Sequence, residues 1–100
     1  PFMEGMVVSN EPGFYEEGAF GIRTENLMAC RKAVQNQYGT FLNFETLTLA
    51  PIDLDAVDPV GLDEREKDRL NRYHARVYRE IAPLLPPEEA AWLKTATRPI

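Results

Sequence analysis

The stretch that decides the fold is Ser9-Asn10-Glu11-Pro12-Gly13-Phe14-Tyr15-Glu16-Glu17-Gly18-Ala19-Phe20-Gly21-Ile22-Arg23-Thr24-Glu25. It connects two short apolar runs of strand character, and its proline and glycine residues are typical of a turn. We therefore predict an antiparallel hairpin with strands over residues 5–11 and 20–30, joined by a loop over residues 12–19.

Two glutamates near the ends of this stretch are the candidate metal ligands. Glu11 and Glu25 are equally spaced about Gly18, so a hairpin centred on Gly18 places their carboxylates opposite each other. Opposed like charges destabilise a sheet, and a divalent metal with oxygen ligands would offset the repulsion. Arg23 lies on the same side as Glu25, where it forms a simple ion pair or orients a ligating carboxylate. Chance pairing among 16 acidic residues is the alternative.

The motifs Glu-Pro-Gly-Phe-Tyr (residues 11–15) and Gly-Ala-Phe-Gly-Ile-Arg-Thr-Glu-Asn (residues 18–26) resemble the end of the catalytic domain of pita-bread metallopeptidases. The resemblance is strongest to eukaryotic-type Xaa-Pro aminopeptidases (aminopeptidase P). It implies that Glu11 and Glu25 ligate two divalent metal ions, with manganese the expected metal and zinc or cobalt the alternatives. It also implies that Glu11 acts as a general base and that Arg23 holds the ligands in place. Thr24 replaces the more usual isoleucine of the family and leaves the motif intact.

The resemblance also implies a function and a division of the chain. Residues 1–39 would end the catalytic domain of an aminopeptidase that releases the N-terminal residue preceding proline from peptides. Residues 40–100 would be a C-terminal extension, a region associated with subunit contacts in this family, which implies a homodimer. The family's remaining ligands, two aspartates and a histidine, would lie upstream, so we expect the isolated chain to be inactive. The alternative is a non-catalytic pita-bread binding or dimerisation module, but such relatives usually change one or both glutamates.

Composition excludes several classes of protein. A length of 100 residues allows one small domain or a piece of a larger one, and the missing initiator methionine favours a fragment. A net charge of −5 argues against a nucleic-acid partner. No apolar run reaches the roughly 18–20 residues that span a membrane. Cys30 has no second cysteine to pair with and is expected to be buried, which together with the absence of a signal pattern favours a cytoplasmic protein.

The middle of the chain predicts one more strand. Residues 40–50 are rich in β-branched and aromatic residues, and Pro51 is expected to end this strand. Residues 31–39 are polar without a clear period, which predicts a turn or an irregular strand end. We assign Glu45 a structural or cleft-lining role, because the resemblance accounts for the metal ligands without it.

Residues 51–100 predict a loop over residues 51–62 followed by two helices. Residues 63–82 carry apolar residues at helical spacing and a capping box of Asp63 and Glu66. A shorter helix follows with Pro87 in its first turn, and Trp92 is expected to anchor it on the preceding helix.

The pattern of elements predicts an α+β fold, with an antiparallel sheet over residues 5–50 followed by a helical pair. The resemblance implies that this sheet is strongly bent and is the C-terminal piece of a pita-bread fold. His74, the single histidine, is expected to be a hydrogen-bonded packing residue rather than a ligand.

Overall fold

All 100 residues are described by the computed structural model, and they form two units, residues 1–48 and residues 49–100. The first unit contains five strands: β1 (Val7–Asn10), β2 (Gly13–Glu16), β3 (Phe20–Arg23), β4 (Asn26–Asn36) and β5 (Gly39–Thr46). The second contains helices α1 (Glu64–Ile81) and α2 (Pro87–Ala96), with short 3-10 turns at Leu54–Ala56 and Ala82–Leu84. This arrangement is the predicted α+β class. Neither helix is apolar enough over a sufficient length to cross a membrane.

The hairpin is centred on Gly18, as predicted. β1 pairs antiparallel with β4 so that Asn10 lies opposite Asn26, and β2 pairs with β3 so that Gly13 lies opposite Arg23. Both pairs are equidistant from Gly18 in sequence, so the same register holds through both ladders and no bulge intervenes. Gly18 has a φ of +73°, a left-handed backbone conformation that residues other than glycine adopt only with strain.

Pairing is interrupted between the two ladders, so the predicted continuous strand over residues 20–30 is wrong. Pro12 lies opposite Thr24 in the common register and has no N–H to donate. One bond therefore remains at this position, from the Thr24 N–H to the Pro12 carbonyl at 3.1 Å. The interruption separates β1 from β2 and β3 from β4, and it leaves Glu11 and Glu25 at the junction.

The connecting loop is shorter than the predicted 12–19, because β2 occupies its first half. Phe14 packs against Phe20 across the ribbon with ring centroids 5.9 Å apart. The Tyr15 ring covers its partner Gly21 so closely that a Cβ added there would lie 2.6 Å from the ring. These aromatic contacts across the pair explain why strand pairing extends into a glycine-rich stretch.

β4 runs further than predicted, to Asn36, and the predicted irregularity of residues 31–39 is limited to one bulge and the final turn. β4 pairs with β5 along its length, and one extra residue between Lys32 and Val34 forms a bulge. A two-residue turn joins Asn36 to Gly39, where the Asn36 side chain accepts a hydrogen bond from the Tyr38 N–H at 2.9 Å. Backbone pairing with β5 imposes the strand on a polar sequence that carries little periodicity of its own.

β5 ends at Thr46, earlier than the predicted limit of residue 50. The Leu47 N–H still donates to the Leu27 carbonyl at 2.8 Å. The Leu27 N–H, however, donates to the Thr48 hydroxyl at 2.8 Å rather than to a backbone carbonyl. The Thr48 side chain thus ends the ladder, before Pro51 is reached.

A small core lies in each unit. Ala29 and Cys30 of β4 are buried in the first unit, which confirms the prediction for Cys30. Phe2 and Phe44 meet edge to face outside this core, with centroids 4.9 Å apart, and both side chains stay exposed. The buried residues of the second unit are Leu54, His74, Val77, Leu93 and Thr97.

α1 begins at the predicted capping box. The Asp63 side chain accepts from the Glu66 N–H at 2.8 Å, and the Glu66 side chain accepts from the Asp63 N–H at 2.9 Å. The helix ends at Ile81, two residues before Pro83, because Pro83 has no N–H with which to continue the helical bonds.

Polar side chains of α1 bind the segments on either side of the helical pair. The Tyr73 hydroxyl donates to the Ala50 carbonyl at 2.7 Å. The Asn71 amide forms two bonds with the backbone of Ile100, at 2.9 and 3.0 Å. These bonds hold the beginning and the end of the second unit on one helix.

The side of α2 that packs is not the predicted one. Leu93 is buried, whereas Trp92 keeps 63% of its surface exposed and does not anchor the helix. Helical residues next to each other point about 100° apart, so only one of the two can face the core. Leu93 is the residue of this pair that faces the core.

Candidate metal centre

Glu11 and Glu25 lie opposite each other at the interruption between the two strand ladders. Asn10 is paired with Asn26, so the next position on each strand brings Glu11 beside Glu25. Cα atoms opposite each other in an antiparallel pair are about 4.5–5.5 Å apart. The backbone of Glu11 is further restricted to an extended conformation, because Pro12 follows it. The backbone therefore brings together the two carboxylates that the sequence spacing predicted.

Arg23 joins the two carboxylates. Its Nη1 lies 3.5 Å from Glu11 Oε2, and its Nε lies 3.5 Å from Glu25 Oε2. The three side chains are about half exposed, at 51%, 46% and 45% for Arg23, Glu11 and Glu25. One guanidinium thus offsets the repulsion between two opposed negative charges, and the predicted placement of Arg23 and Glu25 on one side of the strand is confirmed.

Glu11 has a second partner, which sequence reasoning missed. The Ser9 hydroxyl donates to Glu11 Oε1 at 2.6 Å. Ser9 and Glu11 are two residues apart on an extended backbone and therefore share a face. The two oxygens of Glu11 consequently have different surroundings, a hydroxyl at Oε1 and a guanidinium at Oε2.

The chemistry of these donors fits a divalent cation but supplies only part of its ligands. Carboxylate oxygens suit manganese and similar hard ions, which prefer about six oxygen ligands. Two glutamates offer at most four oxygens, and one of these oxygens already accepts a hydrogen bond from Ser9. No group of three or more His, Cys, Asp or Glu residues in this chain is placed to hold a metal ion. Glu11 and Glu25 therefore fit one side of a metal centre.

Glu45 lies away from this pair and has a partner of its own. It is opposite Ala29 in the β4–β5 ladder, and its Oε2 accepts a 2.7 Å hydrogen bond from Arg31 Nε. The predicted structural role fits this ion pair. Sequence reasoning missed Arg31 because it placed that residue beyond the end of the strand, and the signal was the position of Arg31 two residues from the partner of Glu45.

His74 is a buried packing residue, as predicted. It has no exposed surface, and its Nε2 accepts a hydrogen bond from the Ile52 N–H at 3.0 Å. Nδ1 has no hydrogen-bond partner of normal geometry. Burial lowers the pKa of His74, and the backbone of Arg98 acts in the opposite direction without forming a full hydrogen bond. The ring is therefore neutral at neutral pH and supports the chain near Ile52.

A groove of about 400 Å³ opens in the second unit between the segment after the strands and the end of α2. Trp92 forms part of its wall, and Arg98 lies 3.7 Å from Asp55 at its edge. The groove contains no histidine or cysteine, and its acidic residues are Asp53 and Asp55. It offers no metal ligand set comparable to the glutamate pair.

Comparison with known proteins identifies the family. The profile described as the C-terminal region of peptidase M24 matches residues 40–100. The chain belongs to the peptidase M24 family. The chain is 48% identical over its whole length to aminopeptidase P2 of Arabidopsis thaliana and 41% identical to a putative Xaa-Pro aminopeptidase of Saccharomyces cerevisiae. It covers 15% and 13% of those two relatives, so it spans about one seventh of their length.

A solved structure of an M24 relative has the same fold. An X-prolyl aminopeptidase from Caenorhabditis elegans, described as a cytosolic enzyme with a di-nuclear active site, matches 98% of the chain with a TM-score of 0.85. The sequences are 39% identical, and the match covers 17% of that enzyme. The resemblance to Xaa-Pro aminopeptidases drawn from the glutamate motifs is therefore confirmed, and so is the fold class.

Proposed function

We propose that this chain is the C-terminal part of a metal-dependent aminopeptidase that releases the N-terminal residue preceding proline. The observation that carries the proposal is the placement of Glu11 and Glu25 opposite each other, with both carboxylates facing Arg23. The names of the relatives and the di-nuclear site of the Caenorhabditis elegans enzyme support it. The two glutamates would hold part of a pair of divalent metal ions, with manganese the metal expected and zinc or cobalt as alternatives.

Each residue of the pair has a defined part in this proposal. When bound, two divalent ions lower the pKa of water and stabilise the negative charge that develops on the scissile carbonyl oxygen. Glu11 would ligate one ion and accept a proton from the attacking water at a carboxylate oxygen. Glu25 would ligate both ions. Arg23 would hold the two carboxylates in place, because its guanidinium lies 3.5 Å from each.

The proposal assigns residues 1–39 to the end of the catalytic domain and residues 40–100 to a C-terminal extension. The isolated chain is expected to be inactive, since Glu11 and Glu25 supply only part of a ligand set. We further propose a cytoplasmic location, in line with the cytosolic relative, and a homodimer. Exposed apolar side chains of the second unit, including Trp92, offer a surface for subunit contact. The wild type should sediment as a dimer and Trp92→Ser as a monomer. If both sediment as monomers, the dimer is contradicted.

The decisive experiment is calorimetric titration of manganese into the longer protein that carries this chain and into the 100-residue chain itself. The longer protein should bind manganese tightly and cleave peptides with proline in second place. Glu11→Ala and Glu25→Ala should lose both properties. Glu17→Ala, which removes an exposed carboxylate from the loop between β2 and β3, is the matched control and should keep both.

Three outcomes would contradict the proposal. Full manganese binding in both Glu11→Ala and Glu25→Ala would place the metal elsewhere, and peptidase activity in the isolated chain would show that the site is complete without further ligands. A longer protein that binds no manganese and cleaves nothing would favour the non-catalytic binding module instead.

A further inference from the structure

Ser9 is the only serine of the chain, and its hydroxyl is committed to one of the two candidate ligands. The 2.6 Å bond from Ser9 Oγ to Glu11 Oε1 has the length of a strong hydrogen bond to an ionised acceptor. Ser9 belongs to β1, where its position opposite Leu27 is set by the ladder with β4. The donor therefore stands on a paired strand, while the acceptor lies just beyond the end of that strand.

The bond gives the two oxygens of Glu11 different roles. Oε1 receives the Ser9 hydroxyl, and Oε2 faces the guanidinium of Arg23 at 3.5 Å. Glu25 also turns its Oε2 toward that guanidinium. One oxygen of each glutamate thus faces the common positive charge, and on Glu11 the other oxygen is held away from it by Ser9.

Stabilisation of the fold does not account for this bond. Ser9 and Glu11 are both exposed, so water competes for the hydroxyl and for the carboxylate. Pro12 already restricts the backbone of Glu11 to an extended conformation. The backbone restriction leaves the side-chain torsions of Glu11 free, and the hydrogen bond from Ser9 restricts those torsions.

We propose that Ser9 is a positioning residue of the metal centre, which holds Glu11 Oε1 and thereby presents Oε2 to the metal. The proposal rests on the function proposed above. A glutamate that is already oriented loses less side-chain freedom when it ligates an ion, so the ion binds more tightly. Partners of this kind, which bind a metal ligand and not the metal, typically change metal affinity by about 10- to 100-fold.

The test compares three variants of the longer protein that carries this chain, by calorimetric titration with manganese. Ser9→Ala should raise the Kd for manganese by about 10-fold, and Ser9→Thr should restore it because threonine keeps the hydroxyl on the same carbon and suits a strand. Thr40→Ala, which removes an exposed hydroxyl from β5, is the matched control and should bind manganese like the wild type.

A second readout separates positioning from folding. Ser9→Ala should raise the manganese concentration that gives half-maximal peptidase activity by about 10-fold, while kcat at saturating manganese stays within about twofold of the wild type. Its thermal midpoint without metal should equal that of Thr40→Ala. A general loss of structure would instead lower kcat and the thermal midpoint together.

The outcomes distinguish failure of this inference from failure of the proposed function. If Glu11→Ala loses manganese but Ser9→Ala binds it like the wild type, Ser9 has no positioning role and the proposed function stands. The positioning role is also refuted if Ser9→Thr binds as weakly as Ser9→Ala, because the hydroxyl is then not the determinant. If Glu11→Ala keeps full affinity, Glu11 is no ligand and both proposals fall.

Discussion

Replacement of Arg23 by glutamine is the sharpest test of the charge balance at the candidate metal centre. The substitution removes the positive charge that lies 3.5 Å from one oxygen of Glu11 and 3.5 Å from one oxygen of Glu25. It leaves two negative charges opposite each other at the junction of the two ladders, without a metal or a guanidinium between them. The metal-free chain should therefore lose stability.

The structure sets the size of the loss. All three side chains are about half exposed, and an ion pair of this kind contributes about 0.2–1 kcal/mol. Two such pairs contribute about 1 kcal/mol together, and repulsion between directly opposed like charges adds about 0.2–1 kcal/mol. We expect Arg23→Gln to lower the free energy of unfolding by about 1–2 kcal/mol.

Urea denaturation of the 100-residue chain without metal measures this loss. The matched control is Arg72→Gln, which breaks an exposed pair with Asp68 at 2.8 Å within α1 and should cost only about 0.3–0.5 kcal/mol. In 1 M salt the screening length falls to about 3 Å, so the excess cost of Arg23→Gln over Arg72→Gln should largely vanish.

A double substitution gives the result that would refute the reasoning. Since Glu25→Gln removes one of the opposed charges, Arg23→Gln should cost clearly less in that background than in the wild type. An equal cost in both backgrounds, or a cost no greater than that of Arg72→Gln, would show that Arg23 does not balance the glutamate pair. A cost independent of salt would show that the effect is not electrostatic.

Three further predictions concern local features of the two units rather than the metal centre itself. Because burial lowers the pKa of His74, the stability that the neutral ring contributes is complete above about pH 6.5 and is lost below it, by up to about 1.4 kcal/mol per pH unit. Between pH 8 and pH 5 the thermal midpoint should therefore fall more for the wild type than for His74→Gln. Equal falls in the two proteins would contradict this. Asp63→Ala removes the capping box and should lower the free energy of unfolding, measured by urea denaturation, by about 1 kcal/mol. An unchanged urea midpoint would show that the cap is dispensable. Gly18→Val places a β-branched side chain at a φ of +73° and should cost about 1–2 kcal/mol in the same assay, with no loss expected for Glu17→Ala next to it.

The candidate site depends on a symmetry that is visible in the sequence. Glu11 and Glu25 are equidistant from Gly18, and the structure keeps that register through both ladders. Local chemistry is sufficient here, because one glycine sets the turn and antiparallel pairing follows from it. The pairing of the two carboxylates was therefore predictable, whereas Ser9 was missed, since a serine beside a strand end carries no signal until side-chain geometry is known.

The limits of the strands were less predictable, because bonds between distant residues decide them. β4 continues through a polar stretch that β5 pairs with, and β5 ends where the Thr48 side chain takes the Leu27 N–H. Neither event has a local signature. The break at Pro12 did have a local signature, because proline has no N–H to donate to the opposite strand. The position opposite it, Thr24, therefore keeps only one ladder bond, from its own N–H to the Pro12 carbonyl.

The sequence by itself determined the features that depend on neighbours in the chain: the hairpin about Gly18, the capping box at Asp63 and the end of α1 before Pro83. Only the tertiary structure decided which groups distant parts of the chain bring together. It turned Leu93 inward in place of Trp92, gave Glu45 the partner Arg31, and set the Ile52 N–H on the buried ring of His74. The physical reason is that turns and caps are satisfied within a few residues, whereas burial and long-range hydrogen bonds exist only after the strands and helices have packed.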